Sequence, residues 1–155
     1  MERSQLPEVI FERAKTLPVP LIVWDRDSSL LIVSLTEENE YSGEFINTGR
    51  VCIALGDLMR AVDIEVNYSP ADVTVDPDLA MPEAFAASVR FTDSYLIVDT
   101  ISQIKVLPDF SLMHLWYTDA PPSEMLHLRI AEHVIFDVTI DNRLAGIWVG
   151  NIVQR

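Results

Sequence analysis

Apolar positions along this chain recur mostly with the period and length of β-strands. Leu21–Trp24, Leu30–Thr36, Val51–Leu55 and Met59–Val66 are short runs rich in Leu, Ile and Val, and turn residues bound them. Later runs with the same character are Ser88–Phe91, Tyr95–Val98, Ile101–Val106, Leu112–Tyr117, Met125–Ile130, Val134–Ile140 and Leu144–Val153. Asp25-Arg26-Asp27-Ser28, Gly56-Asp57 and Asp141-Asn142 supply turn chemistry between them, and Glu37–Gly49 predicts a polar loop. Two stretches depart from the strand pattern. From Ser4 to Lys15, Leu6, Val9, Ile10 and Ala14 share one helical face, Pro7 suits a first turn and Lys15 a last one, so a short helix is expected. Residues 67–87 predict a connector, with a helical turn opening at Pro82 and running through Ala87. The expected fold class is therefore α+β, predominantly antiparallel β, with an N-terminal helix packed on the sheet.

Two segments look alike. Ser29 to Glu37, Val51 to Leu55 and Asp57 to Ile64 can be laid over Ser111 to Asp119, Val134 to Val138 and Asp141 to Val149. Each reads as strand, acidic loop, strand, tight turn, strand, which suggests an internal repeat over 21–66 and 104–153. The pattern is a turn containing Asp, a Leu- and Ile-rich strand, an acidic loop and a closing hairpin. It resembles the short prokaryotic β-meander modules of domain-of-unknown-function family 2283. The matches are Trp24-Asp25 through Leu35, Val51 through Ile64, and Val134 through Val149, with Ala61 where that family has Gly. The resemblance implies two β-meander units packed as one domain over residues 1–155, and implies no chemistry.

Size and composition agree with one domain: 155 residues, 49% of them hydrophobic, are enough for a single core. Cys52, the only cysteine, sits in an apolar run and cannot form an internal disulfide, so a buried structural thiol is expected. The first residues carry mixed charge without the apolar run of a signal peptide, and no apolar stretch is long enough to span a bilayer. A cytoplasmic protein without membrane partners is the expectation.

Charge alters the picture most. Eleven basic against 24 acidic side chains give a net charge of −13, which argues against binding nucleic-acid phosphates directly and favours a basic protein partner. Between Arg26 and Arg50 there are five acids and no base, and between Arg60 and Arg90 six acids and no base. Glu37, Glu38, Glu40 and Glu44 in the first run, and Asp72, Asp76, Asp78 and Glu83 in the second, are the candidate partner-binding acids. Trp116 and Trp148 lie on strands with two apolar faces and are candidate interface aromatics if they are exposed.

Signals for catalysis are sparse. There is no strained serine elbow and no glycine-rich phosphate loop. His114 and His127 are expected on neighbouring strands, where a metal would still need Glu124 or Glu132 as a third ligand. No ligand motif matches their spacing, so neither metal nor cofactor is expected. The first expectation is a non-enzymatic acidic protein that docks a basic partner, in the manner of immunity proteins, antitoxins or nucleic-acid mimics. The alternatives are a self-associating module, with a homodimer formed through a strand edge, and a ligand binder or enzyme with a cleft between the repeats.

Overall fold

The computed structural model describes residues 6–35, 42–96, 103–117 and 124–152. Its strands are β1 (Val9–Arg13), β2 (Leu21–Asp25), β3 (Leu30–Ser34), β4 (Glu44–Asn47), β5 (Val51–Leu55), β6 (Ala61–Asn67) and β7 (Val73–Val75). They continue as β8 (Phe85–Phe91), β9 (Tyr95–Leu96), β10 (Gln103–Val106), β11 (Met113–Trp116), β12 (Met125–Ala131), β13 (Val134–Thr139) and β14 (Leu144–Val149). One sheet has the order β2-β3-β6-β5-β4-β9 and the other β1-β8-β12-β13-β14-β11-β10-β7.

The expected α+β class is corrected: among the described residues no helix reaches seven residues and the fold is nearly all β. The segment expected as an N-terminal helix instead pairs as β1 with β8, Val9 opposite Phe91 and Arg13 opposite Ala87. Its apolar residues fit a strand as well as a helix, since Val9 is buried, Ile10 exposed and Phe11 half-buried in alternation. Pairing with β8 satisfies a row of backbone groups and packs Phe11 against Phe85, their ring centroids 6.1 Å apart, which an isolated short helix could not match. The helical turn expected from Pro82 through Ala87 is likewise not helical: residues 82–84 form no regular element and β8 begins at Phe85. The polar loop expected over Glu37–Gly49 contains β4, whose Ile46 is buried.

The two expected meanders are also corrected in topology. β3 pairs with β6 rather than β4, so β3 to β6 form a Greek key to which β2 adds as a hairpin. β10 to β14 follow the same plan: β2-β3-β6-β5-β4 and β10-β11-β14-β13-β12 have identical orders with every neighbour antiparallel. Each carries a bulge at the same place, Val62 between the pairs Ala54–Asp63 and Leu55–Ala61, and Ala145 between Asp137–Gly146 and Val138–Leu144.

The sheets pack face to face over a shared core. Leu31, Val33, Ile53 and Ile64 from one sheet and Leu115, Leu128, Phe136 and Ile147 from the other belong to one fully buried cluster. On one side the chain passes from β8, second from the edge of one sheet, to β9 at the edge of the other. Because β7 and β8 lie at different ends of the eight-stranded sheet, the segment between them crosses its outer face as a strap. Leu79, Met81 and Ala84 of this strap pack on Leu112, Ile135 and Trp148. No described segment crosses the outer face of the other sheet. Among the described residues no helix is long and apolar enough to cross a membrane.

Candidate functional site

Beside the strap, the outer face of the eight-stranded sheet holds a polar cluster. Strand β13 is apolar from Val134 to Val138 except for Asp137, whose neighbours on the chain, Phe136 and Val138, point into the core. Asp137 points outward yet is only 5% exposed. Its Oδ1 accepts hydrogen bonds from His127 Nδ1–H at 2.7 Å and Trp148 Nε1–H at 3.0 Å. Its Oδ2 accepts from His114 Nε2–H at 2.8 Å, and the indole N–H also lies 3.1 Å from it. A buried carboxylate needs such donors, because an unpaired charge out of water is costly.

Sheet register explains how three strands converge on one carboxylate. His127 is directly opposite Asp137, Asp137 is opposite Gly146, and Gly146 is opposite Trp116. In the next row Ile135, Trp148, His114 and Lys105 face one another in turn. His114 therefore meets Asp137 diagonally across β14, over the position where Gly146 has no side chain. The His114 ring stacks on Trp148 with centroids 3.7 Å apart and planes 9° apart, and on Trp116 with centroids 4.8 Å apart. Lys105 Nζ lies 5.6 Å from the Trp116 ring centroid.

With one nitrogen of each imidazole holding a proton toward Asp137, the other is left as an acceptor or proton carrier: Nδ1 of His114 and Nε2 of His127. His127 is the more accessible, its side chain 20% exposed against 12% for His114. Among the described residues no hydroxyl or thiol is hydrogen-bonded to either ring, and no group of three or more His, Cys, Asp or Glu could hold a metal ion. Of three noted cavities, none is lined by His114, His127 or Asp137. The arrangement is a saturated acceptor hub.

The first sheet lacks this hub. At the positions equivalent to His127, Asp137, Gly146 and Trp116 it carries Phe45, Ala54, Asp63 and Ser34; for Trp148 and His114 it carries Glu65 and Ile32. The polar cluster is thus confined to one of two topologically equivalent surfaces.

The histidines expected on neighbouring strands are separated by β13 and β14, and Asp137 joins them. Sequence reasoning missed Asp137, although a lone acid inside Val134-Ile135-Phe136-Asp137-Val138 was a usable signal. Trp148 is buried under the strap, and Trp116 is half-buried at the edge of the cluster. Glu37, Glu38 and Glu40 lie outside the described residues. Glu44 is exposed and accepts from Ser94 Oγ at 2.7 Å. Asp72 pairs with Arg50 at 3.2 Å and Asp76 with Lys105 at 3.6 Å. Asp78 and Glu83 are exposed on the strap. Glu44 and the strap acids therefore belong to different sheets of the sandwich.

Comparison of the chain with protein-family models finds no match, and comparison with curated proteins finds none.

Proposed function

We propose that the protein is a non-enzymatic binding module that docks a basic partner protein. The observation that carries this proposal is the outer face of the six-stranded sheet, which no described segment crosses. One cross-strand row runs from exposed Leu21 through Ser34, Asp63 and Ala54 to exposed Phe45, and the next sets half-buried Val23 and Ile32 beside Glu65 of β6. Leu21 is 65% and Phe45 47% exposed, and Leu21, Val23 and Ile32 adjoin one another on this face, as apolar side chains of contact surfaces do. The acid among them favours an apolar partner surface with cations, and the net charge of −13 would speed the approach of such a partner.

Several of the protein's own cations are engaged internally. Arg50 and Lys105 are ion-paired, Arg13 lies over Phe85, Arg26 over Phe110, and Arg143 donates to the Leu6 carbonyl. The acidic surplus is therefore left for the surroundings. Immobilised protein should retain a basic partner at low salt and release it at about 500 mM, where exposed charges are screened. A Glu65→Lys, Phe45→Ser double variant should retain none. Retention indifferent to salt, or unchanged in the double variant, would overturn the proposal.

A further inference from the structure

Four strands end the two sheets, and three of them are poor docking edges. β7 has three residues and β9 two, while β1 carries Glu12 and Arg13 and is held at its start by the bridge from Glu8 to Arg143. Short or charged edges are how sheet proteins avoid adding a strand. β2 is different. It runs for five residues, Leu-Ile-Val-Trp-Asp, pairs with β3 on one side and has no strand on the other among the described residues. Alternate backbone N–H and C=O groups along that side have no backbone partner among the described residues.

Two cavities flank this free edge. One of about 320 Å³ opens at its start, beside Ile22, Glu132 and His133. Another of about 530 Å³ opens at its end, beside Trp24, Tyr68, Asp27 and Phe110. Ile22 and Trp24 are two residues apart, which is about 7 Å along a strand and matches the side-chain repeat on one face of an added strand. Each cavity offers an exposed carboxylate, Glu132 or Asp27, with no cation in ion-pair reach among the described residues. Arg26 lines the second cavity as well, its guanidinium 3.8 Å above the Phe110 ring.

We infer that a basic partner docks by adding an extended segment to the free edge of β2. Alternate side chains of that segment enter the two cavities, and its lysines or arginines reach Asp27 and Glu132. Main-chain hydrogen bonds give such docking its affinity and the alternate pockets its specificity. This inference rests on the basic-partner proposal and adds where and in what conformation the partner binds. It also joins the two surfaces, because Leu21 and Val23 belong both to that outer face and to the edge strand.

The test uses the full chain and a nine-residue peptide of alternating lysine and valine, followed by amide hydrogen exchange and NMR shifts. Controls are the same peptide with a central proline and a glutamate–valine counterpart. The basic peptide is expected to slow exchange at the Ile22 and Trp24 amides by about tenfold, an effect lost at about 500 mM salt. Neither control should do so. An Asp27→Asn, Glu132→Gln variant should fold normally and bind about tenfold more weakly, as expected when two charge-assisted contacts are lost. Peptide-induced shifts at Phe45 and Glu65 without protection at β2 would overturn strand addition and leave the outer-face proposal standing. Protection of the same amides on concentrating the protein alone would overturn the basic partner in favour of a second copy. Absence of any response to the peptide would overturn this inference, while the salt-dependent retention experiment decides the broader proposal separately.

Discussion

Gly146 lies directly opposite Asp137 in the β13–β14 ladder, and a Cβ at position 146 would sit 2.7 Å from Asp137 Oδ2 and 2.8 Å from the Leu115 carbonyl oxygen. The carboxylate therefore occupies the volume that a side chain on β14 would fill. Glycine costs strand stability in general, so its presence in the middle of a fully buried strand has a specific cause here. It lets His114 reach over β14 to Asp137 while keeping its ring against Trp148.

Gly146→Ala should accordingly destabilise the protein by about 2 kcal/mol, as overpacking against backbone does. In a domain of this size that lowers the melting temperature by roughly 4–8 °C. Differential scanning calorimetry measures it, and an unchanged melting temperature would show that the carboxylate can move aside freely.

Removing the acceptor should cost more. Asp137→Ala leaves an indole N–H and two imidazole N–H groups without their partner, each a penalty of about 1–3 kcal/mol if buried. A loss of about 3 kcal/mol or more is expected in urea unfolding, with Asp137→Asn intermediate because its amide oxygen still accepts. The His114 and His127 ring resonances should shift together in both variants, since one carboxylate holds both rings.

Alkaline stability should report on Tyr117. Burial pushes its phenol well above the ordinary value near 10, and the hydrogen bond with Thr48, 3.2 Å between oxygens, only partly offsets this. The folded state thus keeps a proton that the unfolded chain releases. Stability from this group is complete below about pH 10 and is lost as pH rises further, at up to about 1.4 kcal/mol per pH unit. Tyr117→Phe should flatten that slope in denaturant titrations between pH 10 and 11. A residual slope is expected from Tyr68, whose phenol burial also raises.

Cys52 gives an independent probe of the outer face of the six-stranded sheet. Burial raises its thiol above the ordinary range, and the charge of Glu65 raises it further. Because the thiolate is the reacting form, labelling by an aromatic disulfide at pH 8 should be slower than for a free thiol. Glu65→Gln should speed it by about two- to fivefold, and Glu83→Gln on the strap should leave it unchanged. Equal rates in all three proteins would show that Glu65 exerts no field at Cys52.

Much of the strand content was legible along the chain because it is local. Runs such as Leu30–Ser34, Val51–Leu55 and Val134–Thr139 are too short for helices and too apolar for loops. The resemblance between 29–64 and 111–149 was legible for the same reason, and the two segments occupy equivalent places in the two sheets.

Tertiary structure decided the rest. Val9, Ile10 and Phe11 satisfy a helical or an extended pattern equally, and only the partner β8, some 80 residues away, selects the strand. His114 and His127 carry no ligand spacing because they do not act as a local motif. Asp137 joins them from 23 and 10 residues away, and Gly146 makes room for it from a fourth strand. Periodicity records which face of a strand is apolar. It does not record which strand will lie alongside, and in an antiparallel sandwich that choice brings the buried carboxylate its donors and puts β2 at the end of its sheet among the described strands.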